Sequence, residues 1–142
     1  MTTEGLLERV DGLLHEDTQV HDAGVDLTVT EIYTVTDPGR VDFGGGELDP
    51  AGLTPHERVW RDDNDDYQWW HLVGGTYLLE YNESLATDEP VVLQPRDAIL
   101  ERGATHPTLR VTELGRVPLT VPDAGIKIKE NARVSTIVAD PH

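Results

Sequence analysis

The chain has 142 residues, enough for one domain spanning 1–142 with an apolar core of its own. It contains no cysteine, which excludes disulfides, thiolate metal sites and thiol nucleophiles. Aspartate and glutamate number 27 against 11 lysines and arginines, a formal net charge of -16, and such a surface repels nucleic acid and anionic lipid, because binding either requires basic side chains to neutralise phosphates.

Residues 3 to 14, TEGLLERVDGLL, set Leu6, Leu7, Val10, Leu13 and Leu14 at helical spacing and predict a short N-terminal helix, with Thr3 as its cap and Glu4 in its first turn. A polar connector, HEDTQVHDAG, leads to the strand VDLTVTEIYTV. Alternation along it turns Val25, Leu27 and Val29 inward and Asp26, Thr28 and Thr30 to solvent. An unpaired interior position for Asp26 would be strongly unfavourable. Residues 37 to 66 are rich in Gly, Pro and Asp and read as a long excursion carrying short strand pieces. From Tyr67 onward short segments alternate with turns: YQWWHLVGG, TYLLEYNE, EPVVLQPR, PTLRVTEL, RVPLTV, IKIKEN and ARVSTIVAD. Their regular spacing predicts an all-β sandwich or barrel.

Most of the candidate chemistry has a plain structural reading. The triple glycine 44–46 lacks the Lys-Ser/Thr and the strand-then-helix context of a phosphate loop, so it reads as a turn. His15, His21, His56, His71, His106 and His142 show no metal-ligand spacing, and no protein-held metal site is expected. DDNDD at 62–66 lacks the Gly and distal Glu of a calcium loop and reads as a solvated acidic turn. Trp60, Trp69 and Trp70 are expected in the core and at subunit contacts. No GxSxG nucleophile elbow is present. Two stretches remain. QPRDAILERG follows an apolar strand with a turn and helical character, and Arg96 beside the backbone N–H groups of that turn is a place to hold phosphate. GIKIKENARVSTIV reads as a strand pair and carries the only lysines, Lys127 and Lys129.

Taken in order, these motifs resemble the dCTP deaminase/dUTPase superfamily. The helix followed by VHDAGVDLTV is similar to that family's opening helix and QPSSVDLRL-type strand; GGTYLLEYNESLATDEPVVLQPRDAILERG resembles its run of strands ending in RSSLARLG; KENARVSTIV resembles its last core strand, GMRIAQLVF. The resemblance implies a mainly β, jelly-roll-like barrel with a short N-terminal helix, assembled as a homotrimer. It also implies sites formed where subunits meet, binding a deoxynucleoside triphosphate with Mg2+. It moves Asp26 from the solvent face to a buried, paired role near the nucleotide pocket or trimer contact. The acidic, lysine-poor composition and the GVDLTV wording are similar to haloarchaeal members, a cytoplasmic setting in which molar salt screens the carboxylates.

The departures from the family pattern are as specific as the match. The first Ser and the last Arg of RSSLAR correspond to Asp97 and Glu101, and the later catalytic Glu falls near Thr120 or Val121. The GxIDxxYRGE-like hairpin of dUTPases is reduced to LRVTELGRVPL, and the Gly-rich closing arm is missing from a sequence that stops at His142. Two functions therefore stay open. One is a dCTP deaminase or dUTP diphosphatase with a rearranged site, using Asp97, Glu101 or Glu113 as general base and Arg96, with Arg102 or Arg110, on the phosphates. The other is a catalytically inactive trimer that keeps the fold for a binding or structural role, because Asp97 and Glu101 would repel a triphosphate unless Mg2+ bridged them.

Overall fold

The computed structural model of the protein describes residues 3–139. The side chains of Thr3 and Glu4, and His142, fall outside what it describes. In chain order the elements are α1 (Thr3–Leu7), β1 (Val10–Asp11), α2 (Glu16–Gln19), β2 (Val20–His21), β3 (Gly24–Asp37), β4 (Gly52–Pro55), β5 (Trp69–Leu72), β6 (Gly75–Tyr81), β7 (Ser84–Leu85), β8 (Val91–Pro95), α3 (Asp97–Leu100), β9 (Leu109–Val111), β10 (Val117–Val121), β11 (Ile126–Lys129) and β12 (Arg133–Val138). The class is mainly β, as the sequence predicts.

β3 is the spine. Residues 24 to 28 pair with β12, 29 to 34 with β6 and 33 to 37 with β4, all antiparallel. Register shifts between Val29 and Glu31, and between Arg133 and Ser135, bend it at the change of partner. Such bulges raise local twist, and the main sheet, in the order β10-β6-β3-β12-β8-β9, curls into a half-barrel. The bridge between Thr105 and Thr120 draws the two ends of that order together. The outer strands β8 and β10 bury alternate side chains (Val91, Leu93 and Pro95; Val117, Leu119 and Val121), one face in and one face out. In the middle, β3 and β12 are buried on both faces.

That two-sided burial corrects the alternation expected of β3. Asp26 and Thr28 are as withdrawn from water as Val25, Leu27 and Val29, since α2 and its flanking loop cover the face they occupy. The N-terminal helix is also shorter than the leucine spacing predicts. It ends at Leu7 because Val10 pairs with Leu85 as a strand, and Gly12, in the left-handed region at φ 86°, lies against the backbone at Asn82. Two pairings differ from expectation as well. β9 and β10 do not form a hairpin but occupy opposite ends of the sheet, and β11 pairs with β5 while β12 lies between β3 and β8. Trp70 is fully buried and Trp69 half-buried, whereas Trp60 is exposed, so the core takes only part of the aromatic load.

Gly24 fixes how closely β3 meets β12. Its φ is 150°, and a Cβ there would sit 2.0 Å from the carbonyl oxygen of Ile137. Only glycine allows this approach, which brings Asp26 level with Thr136.

Candidate functional site

At the end of the sheet where β3, β8 and β12 run side by side, α2 and the turn into α3 enclose a cleft of about 430 Å³. Its floor is Asp26, 1% exposed. Asp26 Oδ1 accepts hydrogen bonds from Thr136 Oγ1 at 2.7 Å and His21 Nε2 at 2.8 Å. Oδ2 accepts from Arg133 Nη1 at 3.0 Å and lies 3.4 Å from Arg96 Nε. His21 Nδ1 in turn faces the N–H of Ala23, which leaves Nε2 as the ring nitrogen turned to Asp26. A buried carboxylate needs such partners, and here two guanidiniums supply them from half-exposed positions, 26% for Arg96 and 34% for Arg133.

Both arginines are fixed from behind. Arg96 Nη1 donates to the Arg133 carbonyl at 3.0 Å, and Arg133 Nη1 donates to the Thr18 carbonyl at 3.2 Å. Arg96 stands at the extended residue before α3, after a proline that sets the direction of the turn. Its own carbonyl accepts the N–H groups of Ile99 and Leu100, so the turn is closed on itself. α3 is only four residues long, which leaves little aligned dipole at its start. Arg133 is delivered by the tight turn after β11, where Asn131 takes the left-handed conformation at φ 64° and its side chain accepts from Asn82 Nδ2. Beneath the cleft, Gln19 uses every valence: it accepts from Leu14 and His15 N–H and donates to the Asp26 carbonyl and to Glu83. That side chain locks α2 over β3.

Of the residues singled out in the sequence, Asp26, Arg96 and Asp97 come together around the cleft, Asp97 exposed at its lip. Glu101 and Arg102 lie at the far end of α3, with Arg102 Nη1 3.8 Å from Glu101 and bonded to the Ala98 carbonyl. Arg110, exposed on β9, and Glu113, exposed in the turn after it, are not among the residues lining the cleft. Several polar groups of the cleft escaped the sequence reading, among them His21, Arg133 and Thr136. The register offered the signal for the last two, because Thr136 lies opposite Asp26 on the paired strand and Arg133 begins it. Among the described residues no three His, Asp or Glu side chains gather as a metal cage. Both oxygens of Asp26 are already engaged, so the free carboxylates facing the cleft are Asp97 and Asp17.

No protein-family profile matches the chain. A probable deoxyuridine 5'-triphosphate nucleotidohydrolase of Archaeoglobus fulgidus is 30% identical over 130 residues, which cover 86% of this chain and 72% of that protein. Another, from Methanococcoides burtonii, is 34% identical over 101 residues, 70% of this chain and 56% of its own length. Among solved structures, the 2'-deoxycytidine 5'-triphosphate deaminase of Agrobacterium tumefaciens has the same fold, with a TM-score of 0.57 over 95% of this chain and 45% of that one, at 15% identity.

Proposed function

We propose that this chain, which belongs to the dCTP deaminase/dUTPase superfamily, binds a pyrimidine deoxynucleoside triphosphate at the Asp26 cleft and acts on it in dUTP or dCTP metabolism, as a dUTP diphosphatase or dCTP deaminase. The carrying observation is the buried Asp26 with Arg96 and Arg133 ranged above it. A carboxylate there does little for packing. What it does is hold two planar cations in one orientation at the wall of an open cleft, the preorganisation that phosphate recognition requires. Relatives named as probable nucleotide hydrolases favour this reading over an inert scaffold.

Mg2+ fits the site as an ion carried in by the nucleotide, since magnesium is ordinarily bound through one or two carboxylates together with substrate phosphates. Asp17, in the same cleft, would hold it, and when bound it would offset phosphate charge. Without it Asp97 would repel the ligand that Arg96 attracts. Attack by water needs a general base, and Asp97 is the sequence-predicted base that faces the cleft, ahead of Glu101 and Glu113. The same reading has the protein working as a homotrimer, in the cytoplasm of a cell rich in salt. Incubation with dUTP and with dCTP in Mg2+ and molar KCl, products separated by chromatography, tests it. Conversion of one nucleotide is expected, and conversion of neither overturns the proposal.

A further inference from the structure

Between β3 and β4, residues 38–51 leave the sheet as an arm held by its own contacts. Arg40 and Asp49 pair backbone to backbone at 2.9 and 3.0 Å, and their side chains close the same rung as an ion pair at 2.6 Å. Beyond that rung the Asp42 carboxylate accepts the N–H groups of Gly45 and Glu47, each at 3.0 Å, and so fixes the turn at the triple glycine. Apart from their chain neighbours, nothing lies within 4 Å of where side chains would stand on Gly44, Gly45 and Gly46. The tip projects clear of the sheet.

This fixed turn holds up apolar side chains. Val41 is 90% exposed, Leu48 60%, and Phe43, the chain's one phenylalanine, fully so. Single apolar side chains at a surface are ordinary, but three between positions 41 and 48 of a pinned loop form a patch that their own chain leaves largely uncovered.

A second place has the complementary make-up. The ladder of β5 and β11 borders a hollow of about 560 Å³ whose floor is Leu72 and Ile126, ladder partners and both buried, with Val73 71% exposed beside them. Lys127 and His71, opposite each other on the outer face of the same ladder, form one rim. Arg102, which Glu101 meets at 3.8 Å, forms the other. No Asp or Glu lines the hollow. In a chain of net charge -16, an apolar hollow rimmed by cations attracts an acidic segment that most of the surface repels. The arm is such a segment, since Arg40 is engaged by Asp49 and leaves Asp42 and Glu47 at the tip without a compensating cation.

We infer that the arm of one copy docks in the β5–β11 hollow of a second copy, with Phe43 on the apolar floor and Asp42 and Glu47 toward Lys127 and Arg102. The two surfaces differ, so the contact runs head to tail and either closes into a ring or extends as a filament. The acids beside Phe43 exclude an anionic membrane as the occupant. The inference deepens the homotrimer reading above by naming a contact, and the two fail separately.

The chain has no cysteine, so a disulfide can report the contact. Leu48→Cys and Val73→Cys are carried on separate chains of different mass, co-expressed and oxidised mildly in molar KCl. Cross-links between unlike chains are expected to exceed those between like chains; equal amounts overturn the inference. Light scattering of Phe43→Ser gives the second readout. The substitution sits at a fully exposed position and should leave the circular dichroism unchanged, while the dissociation constant of the assembly rises at least about tenfold, the factor that burial of a phenylalanine supports. Lys127→Glu should act in the same direction, and Glu47→Lys added to it should restore the wild-type mass. A trimer that keeps its mass in Phe43→Ser preserves the homotrimer reading and overturns this one. A single-chain mass for wild type overturns both.

Discussion

Asp26 and Glu83 are the two acids buried among the described residues, and the fold neutralises them in opposite ways. Glu83 meets only uncharged donors: Thr28 N–H on Oε1 at 2.9 Å, and Thr28 Oγ1 at 2.6 Å and Gln19 Nε2 at 2.9 Å on Oε2. Among the described residues no cation pairs with it, and those donors join β3, β7's leading turn and α2 into one unit. Asp26 takes a hydroxyl and an imidazole on one oxygen and two guanidiniums on the other, all facing a cleft. Gln19 touches both acids, the Asp26 carbonyl and the Glu83 carboxylate. The difference separates a carboxylate that fastens the fold from one that aims cations outward. β12 repeats the division: Thr136 reaches Asp26, while the adjacent Ser135 turns to the interior and joins Tyr81 Oη and His106 Nε2.

The largest effect is expected at Asp26. Asp26→Ala removes a carboxylate that holds four donors and leaves two half-exposed guanidiniums without their counter-charge, a loss of up to about 3 kcal/mol after solvent screening, and nucleotide binding should go with it. Urea titration and calorimetry read the two outcomes. A variant that stays stable and still binds would break the comparison.

The neutral chain gives the next effect, through pH. Burial, only partly offset by the Ser135 hydrogen bond, pushes Tyr81 up to about 12. Between pH 10 and about 12 the unfolded chain releases that proton while the folded chain keeps it, so stability falls as pH rises, by a few kcal/mol at most for this group. Tyr81→Phe should flatten that limb of a melt-versus-pH curve. At the acid end the same chain gives the opposite slope. Burial holds His106 below its usual range, so the unfolded state takes up a proton first, and stability is lost as pH falls below about 6.5. His106→Gln should remove part of that loss.

The smaller effect is expected at Glu83. Glu83→Gln keeps the shape but sets an amide N–H against groups that already donate, for a loss of about 1–3 kcal/mol. Nucleotide affinity measured on the folded variant should stay within about twofold, well under the tenfold that 1.4 kcal/mol would give. An affinity loss as deep as that of Asp26→Ala would show that the two acids serve one site, and the contrast would fail.

Much of the sheet was legible along the chain because apolar alternation is a local signal. The segments around 75–81, 91–95, 117–121 and 133–138 became strands close to where the pattern set them. The order of motifs pointed to the superfamily, and Arg96 and Asp97 could be singled out because a proline-led turn after an apolar strand is also local. Composition determined the absence of thiol chemistry and the acidic surface. The tertiary structure decided what rests on contacts between distant segments. Strand partners had to be seen, since β9 and β10 look like a hairpin in sequence yet close opposite ends of a curled sheet. Asp26 shows both sides: alternation exposes it, the family resemblance moves it to a buried pairing, and the structure buries it against partners as distant as Arg133, 107 residues away in sequence. Residue type states what chemistry a side chain can do; which side chains meet is set by long-range burial, and no periodicity along the chain encodes it.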